Sequence, residues 1–158
     1  MTELQRRPPD IILTPAQVVQ MQRPMTLEDY QAFKGEVSGV RDLLITQVLF
    51  NTGLRISEVL RLTAAHVGEE GPDTFLVVRR AKKIRKTPFA KIYLRRDLGL
   101  HLREWVKVHG RDATSPLFGI SARQYRNVFY AASERAFGFR RNPHQLRELH
   151  EYWITHEA

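Results

Sequence analysis

Between residues 74 and 94 the chain abandons helical periodicity. Thr74 to Arg80, with Phe75, Leu76, Val77 and Val78 at its centre, reads as one β-strand, and Phe89 to Leu94 reads as a second. A basic turn around Lys82 to Pro88 joins them. The segments on either side carry helix signals, so the fold class that fits is α+β, mainly α, with a small antiparallel sheet inserted after the second helix of the main body. A length of 158 residues suits one domain with a single sizeable core, and 42% hydrophobic residues are too many for a disordered chain.

The helices are marked by their ends. Thr26 is an N-cap with Asp29 three residues on, and Ser38-Gly39 breaks the helix that they open. Arg41 to Asn51 reads as a buried helix stopped by Gly53, and a shorter one runs from Arg55 or Ile56 to Leu62. Gly68 to Asp73 is a turn by composition. Leu98 to Val108 forms the next helix, ended by Gly110. Ser115-Pro116-Leu117-Phe118 is a loop that places Phe118 in the core. Ser121 caps a helix that runs to Phe137, Gly138 ends it, and Asn142-Pro143 opens the last one, with Asn as N-cap and Pro at the first helical position. Residues 1–25, interrupted by Pro8, Pro9, Pro15 and Pro24, read as an N-terminal arm or linker, and 26–158 as the domain.

Charge narrows the function. The net charge is +8, with nine basic residues and no acid from Arg79 to Arg96, and six Arg against the single acid Glu134 from Arg123 to Arg147. Two separate acid-poor segments point to a polyanionic partner, and a nucleic acid is the natural one. Without Cys there is neither a disulfide framework nor a thiolate metal site. The sequence carries no compact Asp and Glu set of the two-metal kind, no signal-peptide-like apolar stretch and no run long enough for a membrane span. The expectation is an intracellular, cytoplasmic protein with no cofactor, no metal and no membrane.

Two arginine motifs carry the chemistry: Thr52-Gly53-Leu54-Arg55-Ile56-Ser57-Glu58 and His144-Gln145-Leu146-Arg147. A guanidinium is always charged and presents a planar fork of donors that matches a phosphate. His144 and Arg147, three apart near a helix N-terminus, project from one face where the helix dipole favours an anion. Arg55 begins another helix after a tight Gly turn, with Glu58 one turn on to orient its guanidinium. Attack on a phosphodiester builds negative charge on its non-bridging oxygens, which two arginines and an imidazole can stabilise without a metal ion. The leaving sugar oxygen needs a proton, and a Lys on the basic hairpin is a suitable donor.

At these residues the chain resembles the tyrosine recombinases, the phage integrase family that cuts and rejoins DNA through a phosphotyrosine. Arg41 to Leu62 is similar to the family's first arginine box and His144 to Arg147 to its second. Thr74 to Leu94 resembles the sheet whose hairpin bears the catalytic Lys, and Ser115 to Phe118 resembles the loop before the second box; the likeness covers about residues 41 to 158. It implies an integrase-like catalytic core in which Arg55 and Arg147 stabilise the phosphate and His144 serves as acid/base or hydrogen-bonding group. Lys86 best fits the spacing for the catalytic Lys, with Lys82 and Lys83 of the same turn as alternatives. Arg79, Arg80, Lys82, Lys83, Arg85 and Lys91 are then DNA-backbone contacts. The implied partners are double-stranded DNA and other recombinase protomers on it.

The sequence departs from the family pattern after Arg147. Glu148 follows it directly, where it weakens phosphate affinity or pairs with Arg147. Tyr152 lies only five residues beyond Arg147 on the same helix, too near to replace a nucleophile that arrives on a later helix, and His150 and His156 read as surface residues. The expectation is a partial catalytic domain that lacks the core-binding domain and the tyrosine-bearing segment and is inactive alone. The alternative is a non-catalytic DNA-binding regulator or decoy, and an unrelated basic helical module is a third reading.

Overall fold

The computed structural model describes residues 13–79 and 89–156. The first twelve residues of the expected arm, and Arg80, Lys82, Lys83, Arg85 and Lys86, lie outside the described residues.

In chain order the elements are α1 (Pro15–Gln22), α2 (Leu27–Gly35), α3 (Val40–Thr52), α4 (Ile56–Leu60), a 3-10 turn (Ala64–His66), β1 (Val67–Glu70), β2 (Asp73–Arg79), β3 (Phe89–Tyr93), α5 (Arg96–His109), α6 (Ala122–Phe137) and α7 (His144–His156). The architecture is the expected one, helices around a small antiparallel sheet. Helix α3 packs against α7, α4 and α5, helix α2 against α6, and α5 covers one face of the sheet. Phe33, Ile45, Val48, Val59, Leu102, Phe129 and Leu146 are the buried centre of one continuous core. Leu117 and Phe118 are buried too, held by a Leu117 N–H bond to the Leu62 carbonyl (2.8 Å) and by the Trp105 indole N–H on the Leu117 carbonyl (2.8 Å).

Two local readings change. Helix α1 forms inside the stretch read as an arm, because Thr14 and Gln17 make a reciprocal cap: the Gln17 N–H donates to Thr14 Oγ1 (3.2 Å) and the Thr14 N–H to Gln17 Oε1 (2.9 Å). Pro15 stands at the first helical position, where its missing N–H costs nothing. The second change adds a strand. Val67–Glu70 pairs with β2 in the register Val67↔Leu76 to Glu70↔Asp73, which leaves only Gly71 and Pro72 as the turn. Gly71 takes φ +58°, and the proline ring after it keeps φ negative, a combination suited to a two-residue hairpin turn.

The sheet has strand order β1-β2-β3. Leu76, Val78 and Leu94 face inward with Leu98 and Leu102 of α5. The opposite face carries Phe75 and Tyr93, with ring centroids 5.5 Å apart, and the Tyr93 hydroxyl donates to Glu70 Oε2 (2.8 Å).

Candidate functional site

The turn that presents Arg55 is built from four hydrogen bonds. Gly53 ends α3 in the left-handed conformation (φ +70°) and its N–H reaches the Leu49 carbonyl (3.0 Å). The Leu54 N–H goes to Thr52 Oγ1 (3.2 Å), whose own hydroxyl bonds the Val48 carbonyl (2.7 Å). Arg55 is then the extended N-cap of α4, with its N–H on Glu58 Oε1 (2.7 Å). Glu58 thus orders the backbone of Arg55 and not its guanidinium, a correction to the role expected for it. The Arg55 side chain is exposed, and among the described residues no carboxylate pairs with it.

The start of α7 is anchored with similar care. Asn142 Oδ1 accepts from the His144 N–H (2.9 Å), the cap anticipated from Asn142-Pro143. Below it lies Arg141, only 5% exposed, whose guanidinium reaches Asp29 Oδ2 (3.3 Å), Gln145 Oε1 (3.3 Å) and the Arg23 carbonyl (3.3 Å). Gln145 adds a bond to the same carbonyl (2.9 Å). Helix α7 is therefore tied to the α1–α2 connection. Burial pulls the Arg141 pKa down, and Asp29 partly restores it. Arg147 is half-buried and lies 3.7 Å from Glu151 one turn on, so its helix partner is Glu151 and not Glu148.

These two devices bring the arginine motifs together. Arg55, His144 and Arg147 line one open cavity of about 400 Å³. Leu49, Leu54, Ile56 and Leu146 form its apolar wall, while Ser57, Asn142, Arg126 and Tyr130 complete it. Three guanidiniums and one imidazole thus share a recess whose lining includes no Asp or Glu among the described residues. Such a recess suits an anion with several acceptor oxygens.

Arg126 is a lining residue that the sequence did not single out, and Tyr130, whose helix position suggests core packing, lines the cavity as well. They stand one turn apart on α6, so the helical period alone could have paired them, but nothing in the sequence says which face meets the cavity. The Arg140 guanidinium covers the Tyr130 ring at 5.2 Å.

Of the other expected binding residues, the two that are described, Arg79 and Lys91, lie elsewhere. Arg79 is exposed at the end of β2, opposite Phe89. Lys91 sits 4.6 Å above the Phe75 ring and 3.9 Å from Glu70, with both of these charged side chains exposed. Neither lines the cavity. The acid-poor segment of α6 and α7 is also less bare than it looks, since Glu36 pairs with Arg135 (3.5 Å) and Asp29 with Arg141. Among the described residues no group of three metal-capable side chains occurs, and no helix is long and apolar enough to cross a membrane.

Of the five tyrosines, Tyr30 and Tyr125 are buried, and desolvation raises both pKa values. The Tyr125 hydroxyl bonds Thr46 Oγ1 (2.6 Å). The Tyr93 pKa is raised by its bond to Glu70. Tyr152 projects from α7 and is exposed. Tyr130 is the tyrosine at the cavity.

His150, read as a surface residue, is instead half-buried, with Nδ1 2.7 Å from the Phe50 carbonyl. Because a carbonyl only accepts, Nδ1 carries the proton. Burial lowers the His150 pKa from 6.5, opposed by the Phe50 bond and by Glu151. The unfolded chain therefore takes up this proton first. The stability from a neutral His150 is fully present above pH 6.5 and is lost as pH falls from there through the lower value of the folded state. His150→Asn, which keeps a donor but does not titrate, should lose less stability than the unaltered chain between pH 7.5 and 5.5 in urea titrations; parallel losses would refute this.

No family model matches the sequence, and no curated protein matches it either. Solved structures do. A crystal structure of XerA recombinase aligns with a TM-score of 0.68 at 16% identity, covering 96% of this chain and 54% of that one. The XerH site-specific recombinase bound to its difH substrate, a pre-cleavage complex, aligns at 0.64 and 16%, covering 84% and 43%. A lambda integrase dimer bound to a COC' core site aligns at 0.61 and 17%, covering 85% and 41%. The chain spans about half the length of these proteins or less.

Proposed function

We propose, for a chain that has the fold of tyrosine recombinase catalytic domains, that the cavity between α4 and α7 seats a phosphodiester of duplex DNA. The observation that carries this reading is the convergence of Arg55, His144 and Arg147, from motifs about ninety residues apart, on one recess with no acid in its lining among the described residues. In this reading the two guanidiniums and the His144 ring donate to the non-bridging oxygens. Charge that grows there during strand cleavage then meets donors already in place. Arg126 contributes a further positive charge at the rim. Lys86, on the connection between β2 and β3, is the proposed proton donor to the leaving sugar oxygen. Arg79, Arg80, Lys82, Lys83, Arg85 and Lys91 are proposed backbone contacts. The structural neighbours XerH and lambda integrase, which are described bound to their DNA sites, support a DNA substrate.

The placement of the tyrosines favours a second element of the proposal, that these residues hold DNA without attacking it. The hydroxyls of Tyr93 and Tyr125 are engaged, Tyr30 is buried against Phe50, Tyr152 is outside the cavity lining, and Tyr130, which lines the cavity, has the Arg140 guanidinium over its ring. With a nicked suicide duplex the 158-residue chain is expected to give no covalent protein–DNA adduct. Labelled Arg side-chain and His ring signals should show Arg55, His144 and Arg147 responding to a short duplex with one shared affinity that weakens steeply with salt. Responses confined to the sheet would sink the phosphate-seat reading. An adduct mapping to Tyr152, or to Tyr130 at the cavity, would overturn the non-attacking one.

A further inference from the structure

Helix α3 ends with carbonyls that have no intrahelical partner. The turn after it employs two nearby N–H groups, Gly53 on Leu49 and Leu54 on Thr52, and neither reaches the Phe50 carbonyl. His150 supplies that missing donor from α7, at 2.7 Å. The same imidazole brings its Cδ2 up against Gly53: a Cβ built there would stand 2.4 Å from that atom. Gly53 is thus required twice, by its left-handed φ and by the ring that occupies the space of a side chain. One residue therefore joins the helix that carries His144 and Arg147 to the turn that aims Arg55.

We infer that His150 is a positioning residue, which sets the spacing between Arg55 and Arg147 by closing the C-terminus of α3 with its Nδ1–H and filling the hollow at Gly53. The two halves of the cavity come from segments distant in sequence. Their separation must be held to about half an ångström if both guanidiniums are to meet one anion. The apolar contacts between α3 and α7 press the helices together without fixing their axial register, since such contacts have no direction. A hydrogen bond to a specific terminal carbonyl does fix it. His150 touches no substrate and acts through Arg55. The DNA arm of the test rests on the phosphate-seat reading.

The test is a double-mutant cycle on the whole chain with a short mixed-sequence duplex, together with amide exchange in the free protein. His150→Asn retains an N–H near Nδ1 and should bind within about twofold of the unaltered chain. His150→Phe retains the ring but not the donor and should bind about fivefold more weakly. In that background Arg55→Ala should cost about fivefold less than it does in the unaltered chain, whereas Arg123→Ala, remote from the turn, should cost the same in both backgrounds. If Arg55→Ala costs as much on top of His150→Phe as it does in the unaltered chain, the inference falls. Should the His150→Phe variant not fold, His150→Gln, whose amide reaches the Nε2 position instead, takes its place with the same expectation. If Arg55→Ala leaves binding unchanged in the unaltered chain, the phosphate-seat reading fails, and exchange decides the positioning role alone. Leu54 and Arg55 amides that exchange faster in the donor-less variant but not in His150→Asn uphold it; unchanged rates overturn it.

Discussion

The double substitution Arg55→Ala with Arg147→Ala is expected to weaken duplex binding by at least about a hundredfold at low salt, with little loss of stability. A hydrogen bond from a charged donor contributes roughly 1.5–3 kcal/mol, or about ten- to a hundredfold in affinity per arginine. The folded state does not lean on either group. The Arg55 side chain is exposed and has no carboxylate partner among the described residues, and Arg147 has a long 3.7 Å contact with the exposed Glu151. Exposed pairs of that kind contribute about 0–1 kcal/mol. The slope of log affinity against log salt should also fall by about 2, close to one counterion per lost phosphate contact. Fluorescence anisotropy between about 50 and 200 mM salt gives both quantities. A loss below about fivefold with an unchanged slope would remove the cavity from the DNA interface.

Asp29→Ala is expected to have the largest effect on stability, a loss of about 3 kcal/mol. Arg141 is 5% exposed, and the Asp29 carboxylate is its one negatively charged partner among the described residues. Removing one member of a buried pair leaves a charge without compensation, which costs roughly 3–5 kcal/mol. The same carboxylate accepts the Thr26 N–H (3.0 Å) in the cap of α2, so that bond disappears as well. For a chain of this length the thermal midpoint should fall by about 10 °C. Adding Arg141→Met removes the stranded charge and should recover part of the loss, because an apolar replacement of a buried pair is often neutral. A midpoint shift of less than about 3 °C for Asp29→Ala, or no recovery in the double variant, would show that solvent already screens Arg141. DNA binding should suffer too, since Arg141 and Gln145 hold the start of α7 against the Arg23 carbonyl.

Much of this molecule is legible in its residues, for local reasons. The cap Thr26–Asp29, the stops at Gly53 and Gly138 and the Asn142–Pro143 start all form as expected, because each is decided within four residues. The misreadings have equally local causes. Pro15 reads as an interruption yet begins a helix, and Gly68 to Glu70 read as part of a turn. They belong to a strand, because β2 offers them a partner edge, and propensity does not see that. Spacing assigns Glu58 and Glu148 to the arginines. Yet Glu58 serves a backbone N–H, while Glu151 takes Arg147.

Residue order alone establishes the class of fold, the two arginine motifs and the chemistry such motifs suit, because these depend on short-range periodicity and residue type. Which charges remain available is settled by packing in three dimensions. Asp29 and Glu36 neutralise arginines about a hundred residues away, Lys91 lies over Phe75 beside Glu70, and Arg126 lines the cavity. Packing also makes His150, which no pattern marked, complete the turn beneath Arg55. Electrostatic and hydrogen-bond partners are chosen by proximity in space, and proximity is what a linear order of residues does not contain.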